Sequence, residues 1–174
     1  MADGVEFAIV RLGYGNRHLD SQFYTNINEA RNRGLKVGVY YYSYALDTDR
    51  AKAEGEFVVE ILQGCNFIPD VAVWFDMEDA DGWKESHGMP DKQTITDMCM
   101  AFSNVLNAAG FYCGVYSCLD WLDNMMYRDQ FPDYVPIWNA QINGEDDIHG
   151  AMWQYTFTYD INGNTFDGDV YYDD

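Results

Sequence analysis

An apolar run, Val71-Ala72-Val73-Trp74-Phe75, passes without a break into Asp76-Met77-Glu78-Asp79. An uninterrupted run of this length, partly β-branched and aromatic, reads as a strand buried on both faces, as in a parallel sheet. Barrels and open α/β folds place their chemistry at the carboxyl ends of such strands, and three acids stand here within four positions. Side chains alternate along a strand, so Asp76 and Glu78 point one way and Met77 the other. With a rise of about 3.3 Å per residue, their backbones lie about 6.6 Å apart. An arbitrary Asp-x-Glu more often just solvates a strand end. The long apolar approach argues against that, because acids facing the middle of a barrel are costly unless used or paired.

The rest of the chain alternates strand and helix. Strands are expected over Val5–Leu12, Leu35–Tyr44, Phe111–Ser117, Val135–Ala140, Ala151–Thr156 and Phe166–Tyr172. With the strand ending in Asp76 and Glu78 they make seven. Helical spacing falls over residues 20–33, with Asp20 as N-cap and Gly34 as stop, and over 48–64, capped by Thr48. Residues 93–109 follow the same spacing through Ile95, Met98, Cys99, Phe102, Val105 and Leu106, and a short helix covers Leu119–Tyr127. Residues 79–91 read as a polar loop. Short connections between strand and helix imply right-handed βα units on a parallel sheet, with the alternation fading towards the end. No linker or repeat divides residues 1–174, and that length suits a single domain.

Composition narrows the partners. A net charge of −19 repels phosphate backbones, which argues against nucleic acid and anionic membrane surfaces. No segment is long and apolar enough to be inserted in a membrane, and the N-terminus has no apolar signal core. The four cysteines (Cys65, Cys99, Cys113, Cys118) show no CxxC spacing and no cluster with histidine, so neither a metal site nor a disulfide scaffold is expected. His18, His87 and His149 are scattered. Asp160-Ile161-Asn162-Gly163-Asn164-Thr165 opens like a calcium loop but lacks the later glycine and glutamate, so a polar turn is the better expectation. No phosphate-binding glycine loop appears, and no cofactor is implied. Fourteen tyrosines exceed ordinary core needs; aromatic faces with polar tips suit sugar rings as well as a Tyr-rich core.

Seven segments together resemble the family-25 glycoside hydrolases, lysozymes that cleave peptidoglycan as N-acetylmuramidases. They are FAIVRLGYG (7–15), GLKVGVYYYSYA (34–45), VWFDMED (73–79), GVYS (114–117), PIWNAQ (136–141), MWQYT (152–156) and FDGDVYY (166–172). The resemblance implies an α/β fold, an irregular eight-stranded β/α (TIM-like) barrel whose later helices are reduced. It implies cleavage of the β-1,4 bond between N-acetylmuramic acid and N-acetylglucosamine, outside the cell or in the cell wall, with phage-type release as another route. Glu78 takes the place of the general acid, Asp76 that of its partner, and Asp167 that of a late acid. Tyr42, Trp138, Gln154, Arg11 and Tyr116 match positions that shape the sugar groove or support the acids. For Arg11 an ion pair holding an inward acid is an equal alternative, and of Trp138 and Trp153 one is expected to face the glycan. Neighbouring carboxylates raise one another's proton affinity, which a general acid near neutrality requires. The acid spacing falls clear of neither the retaining nor the inverting range, so both remain open, together with a substrate-assisted route.

The sequence also departs from the family pattern. Family members start with a strand carrying Asp-x-Ser and then a helix. This chain corresponds to the portion after that helix, and Asp3 lies at the wrong end of the Val5 strand to replace the missing acid. The expectation is therefore a seven-stranded barrel with exposed edges on its first and last strands, either a homodimer or swap through the gap or a distorted barrel, and activity weak or lost. The competing functions are a non-catalytic remnant that binds glycan and a barrel glycosidase acting on another polysaccharide.

Overall fold

The computed structural model describes residues 4–142 and 144–172; Asp3 lies outside them. The strands are β1 (Phe7–Tyr14), β2 (His18–Leu19), β3 (Lys36–Tyr42), β4 (Val73–Asp76), β5 (Cys113–Cys118), β6 (Ile137–Ala140), β7 (Met152–Ile161) and β8 (Asn164–Tyr171). The helices are α1 (Phe23–Asn32), α2 (Thr48–Gly64), α3 (Trp83–Gly88), α4 (Lys92–Ala108) and α5 (Leu119–Asn124). All strands belong to one sheet in the order β2-β1-β3-β4-β5-β6-β7-β8. The run from β1 through β7 is parallel, and β2 and β8 are antiparallel to their neighbours.

Eight strands replace the expected seven because Gly13-Tyr14 pairs back onto His18-Leu19. The turn depends on Gly13: a Cβ there would stand 2.0 Å from the His18 carbonyl oxygen. The sheet curls until Phe7 of β1 meets Tyr171 of β8, edge to face at 6.3 Å. No backbone ladder joins β1 to β8 among the described residues, so the curled sheet remains open between them. The late strands lose their helices as expected, and β7 and β8 form a long hairpin. Asn162 (φ 54°) and Gly163 (φ 80°) make its two-residue turn, the left-handed pair such hairpins favour. The calcium-like opening of that segment is thus the polar turn expected of it.

The two faces of the sheet bury different layers. On the convex side, α2 and α4 cover the central strands; Phe75 of β4 stacks on Phe102 of α4 at 4.0 Å, and both rings are fully buried. Each such ring contributes about 1.5–3 kcal/mol by leaving water. On the concave side a smaller cluster of Trp74, Trp138, Met152 and Ala72 packs with Phe7, Ile9 and Tyr171. Gly114 makes room for it, since a Cβ there would lie 2.5 Å from the Trp74 ring.

Helix ends depart from expectation in detail. Asp47, not Thr48, caps α2 by accepting from the Arg50 amide, and Asp91 caps α4 through Thr94. Asp20 does not cap α1, which begins at Phe23; its carboxylate accepts from the Gln22 amide and pairs with Arg11. Residues 79–91 hold a six-residue helix, α3, in place of the expected loop. Among the described residues all four cysteines are free, with Cys99 and Cys113 buried. Among the described residues no helix is long and apolar enough to cross a membrane.

Candidate active site

The alternation expected of β4 continues past its end. Met77 is fully buried in the layer beneath the helices. Asp76 and Glu78 line the opposite side, a cleft of about 1270 Å³ in the hollow of the sheet. Tyr40 and Tyr42 of β3, Tyr116 of β5, Trp138 of β6, Gln154 of β7 and Asp167 and Asp169 of β8 complete the upper wall. Aromatic rings therefore flank a pair of acids on both sides.

Asp76 is only 4% exposed, and its Oδ1 has no hydrogen-bond partner. Burial raises its pKa well above the usual carboxylate range, and the neighbouring Glu78 charge raises it further. Glu78, less deeply buried, is also raised by burial, against the opposing charge of Lys84. Two carboxyls this close retain one proton between them more readily than either would alone. The more buried Asp76 has the stronger claim on it at rest.

The walls are held by hydrogen bonds between side chains. The Tyr116 hydroxyl donates to Gln154 Oε1 at 2.8 Å, and its ring meets Trp138 edge to face at 4.5 Å. Trp138 Nε1 donates to Asp169 Oδ1 at 2.9 Å. Of the two candidate tryptophans, Trp138 borders the cleft, whereas Trp153 turns away and donates to the Gln141 carbonyl oxygen. Tyr42 reaches the cleft from the other side and lies over the Lys84 ammonium at 5.5 Å.

Two expected residues sit differently. Arg11 does not border the cleft; it pairs with Asp20 at 2.7 Å and lies over the Tyr14 ring. Arg11 does form an ion pair, but with Asp20 at the rim where β2 returns and not with an acid facing into the cleft. Asp167 borders the cleft but stands on its exposed rim. Its own burial raises its pKa, but burial and Glu78, not Asp167, lead the causes at Asp76. All three acids therefore border one cleft, Asp76 on its buried floor and Asp167 on its exposed rim.

Three contributors are absent from the sequence-based expectation. Asp169 lies two residues beyond Asp167 on the same face, and burial pushes its carboxyl up to about 7. The FDGD spacing that repeats Asp76-Met77-Glu78 is the signal that could have suggested it. Tyr40 has the same parity as Tyr42 and borders the cleft beside it. Lys84 gives no signal, because a six-residue helix is too short to display a period.

A curled parallel sheet with paired acids and aromatic walls at its strand ends defines a β/α glycosidase-type protein. The chain belongs to glycosyl hydrolases family 25, which it matches over residues 1–164. Among solved structures it is similar to the modular autolysin LytC from Streptococcus pneumoniae, solved with a synthetic peptidoglycan ligand. The two share 25% identity with a TM-score of 0.83, covering 98% of this chain and 42% of that one. It shares the fold of a family 25 glycosyl hydrolase from Bacillus anthracis, at 18% identity and a TM-score of 0.76 over 97% of this chain and 79% of the other. It shares it also with the lysozyme from Streptomyces coelicolor, at 16% identity and a TM-score of 0.77 over 97% and 82%. This chain thus spans under half the length of the LytC autolysin. No curated protein is significantly similar to it.

Proposed function

We propose that this chain hydrolyses peptidoglycan, cutting the β-1,4 bond between N-acetylmuramic acid and N-acetylglucosamine. One observation carries this: Asp76 and Glu78 share a buried, proton-retaining position at the floor of a cleft walled by Tyr42, Tyr116 and Trp138. Glu78, the more accessible of the two, is the general acid. When a glycan covers it and excludes water, its proton affinity rises and the shared proton passes to it from Asp76. It then protonates the leaving glycosidic oxygen as the bond to the anomeric carbon breaks, while ionised Asp76 polarises or orients the substrate's N-acetyl group. Water supplies the hydroxyl that replaces the leaving oxygen, and its remaining proton returns to the acid pair. Tyr116, held by Gln154, and Trp138, held by Asp169, offer flat faces to the sugar rings. Asp167 adds negative charge at the rim.

Its place of action is the cell wall, reached by export or by release on lysis. A second copy pairs across the open side of the sheet, along β8 and the part of β1 (residues 7–12) that β2 leaves uncovered; a monomer by sedimentation at micromolar concentration would remove that element.

A second reading, glycan binding without cleavage, is favoured by the exposed rim position of Asp167 and the open side of the sheet. Clearing of purified cell walls separates the two. Under the first reading the wild-type chain clears them and releases muramic-acid-terminated fragments, and Glu78→Gln does neither while still binding glycan. Under the second, neither protein clears the walls and both bind alike.

A further inference from the structure

Behind the acid pair, on the side away from the cleft, a cation is completely enclosed. Lys84 is 0% exposed. Its Nζ donates to the Ser43 carbonyl oxygen at 2.5 Å and to the Glu78 carbonyl oxygen at 2.6 Å. The segment leading to it is wound so as to insert it. Asp79 accepts from the Lys84 and Glu85 amides at 2.6 and 2.9 Å, and Asp81 accepts from the Trp83 amide at 3.1 Å. These contacts turn the chain directly after Glu78 and set the first turn of α3 so that the Lys84 side chain reaches the Glu78 and Ser43 carbonyl oxygens.

We propose that Lys84 is a positioning residue for Asp76 and Glu78: its enclosed ammonium ties the Glu78 backbone to the end of β3 and supplies the field in which the two carboxyls exchange their proton. This rests on the reading of that pair as glycosidase acids.

The argument for a field as well as a tie comes from what surrounds Nζ. The acids whose charges act on it are Glu54 on α2, Asp76, Glu78 and Asp79 on β4 and its extension, and Asp81 in the following turn. Tyr42 and Tyr44 lie under it with ring centroids at 5.5 and 5.9 Å, and the Cys99 thiol feels its charge from α4. Yet among the described residues no carboxylate forms an ion pair with it. Glu54 is instead occupied by the Ser43 hydroxyl at 2.8 Å and the Tyr44 amide at 3.0 Å. Carbonyl oxygens hold the ammonium in place and leave its charge to be felt by Asp76 and Glu78 together. Two carbonyls could be satisfied by a neutral amide, whereas enclosing a charge carries a desolvation penalty that an amide avoids. The charge is therefore the costly part of the arrangement, and it opposes the rise that burial imposes on both acids.

The test compares wild type with Lys84→Gln, which keeps donors for the carbonyls and removes the charge. Carboxyl carbon NMR of Asp76 and Glu78 in the substrate-free protein reads their titration directly. The expected result is a rise of about one pH unit or more in the first proton-loss midpoint of the pair. The bell of kcat/KM on solubilised peptidoglycan should move up in pH by a similar amount, with Lys84→Arg staying near wild type. Titrations and bell limbs unchanged in Lys84→Gln, with only stability reduced, would reduce Lys84 to a structural tie and overturn the proposal. If Lys84→Gln does not fold, the nitrogen resonance of Lys84 Nζ in the wild type decides. It should report an ammonium across the working pH range; a neutral amine there leaves no field and overturns the proposal equally. A wild-type protein that releases no fragments, but whose acid pair shifts in Lys84→Gln, would refute the hydrolase reading while leaving the action of Lys84 on the pair established.

Discussion

Two acid pairs with the same spacing face the same cleft, and they differ in almost everything else. Asp76 and Glu78 end a central parallel strand covered on its convex side by α2 and α4, with every residue of β4 buried. Asp167 and Asp169 lie on β8, an outer antiparallel strand whose first four residues are exposed. Identical alternation thus delivers Asp76 to a dry floor and Asp167 to a wet rim, with Glu78 and Asp169 half-buried between those extremes. Burial, far more than spacing, decides which carboxyls keep a proton near neutrality.

The largest expected effect breaks that comparison at the level of chemistry. Glu78→Gln should lower the rate of cell-wall hydrolysis by about 10²–10⁴-fold, the usual range for a lost general acid. Asp167→Asn, at the rim, should lose much less. Turnover on purified peptidoglycan measures both, and equal losses would mean that the rim acid takes part in the same step as the floor acid.

The second contrast is in stability. Phe75→Ala removes a fully buried ring stacked on Phe102 and should cost about 3–5 kcal/mol in urea unfolding. Phe166→Ala on β8, where the ring is 51% exposed, should fall within about 1 kcal/mol of wild type. A comparable cost at both would show that the hairpin is packed as firmly as the centre.

These contrasts also mark what a sequence can disclose. The orientation of Asp76 and Glu78 is readable because a strand has a fixed period, and the apolar approach announces burial on both sides. The arc of parallel strands emerges from the same patterns. Lys84 is hidden because neither period nor composition distinguishes a lysine drawn inward by two backbone carbonyls from one in a solvated loop. Strand β2 is hidden because two residues carry no pattern; the close approach of Gly13 to His18 makes it. The cap of α2 is displaced by one residue because Asp47 and Thr48 are both good caps, and only the backbone decides between them.

A smaller effect concerns pH. Asp169 has a folded pKa of about 7 against an ordinary value of 3.8. Between those values the folded state binds more protons than the unfolded one, so stability falls as pH rises through that window and levels off above it. Asp76, Glu78 and Glu54, all raised by burial, act in the same direction. Asp169→Asn keeps an acceptor for Trp138 Nε1 and should flatten part of this slope, by no more than a few kcal/mol. Denaturant midpoints from about pH 4 to 8 check it. An unchanged slope would assign the pH dependence wholly to the floor acids.

The smallest effect belongs to the rim beyond both pairs. Arg11 and Asp20 form an ion pair at 2.7 Å with the arginine side chain 48% exposed. Water screens such a pair, and its net worth is about 0–1 kcal/mol. Arg11→Gln should therefore leave unfolding nearly unchanged. Its effect on chemistry should be small but directional. The Arg11 charge lowers the proton affinity of Asp76, behind burial, Glu78 and Lys84 in weight. Removing it should move the pH profile of hydrolysis upward by less than Lys84→Gln does. A larger shift from Arg11 than from Lys84 would invert the order of influence, making the exposed rim rather than the enclosed cation the chief control on the acid pair.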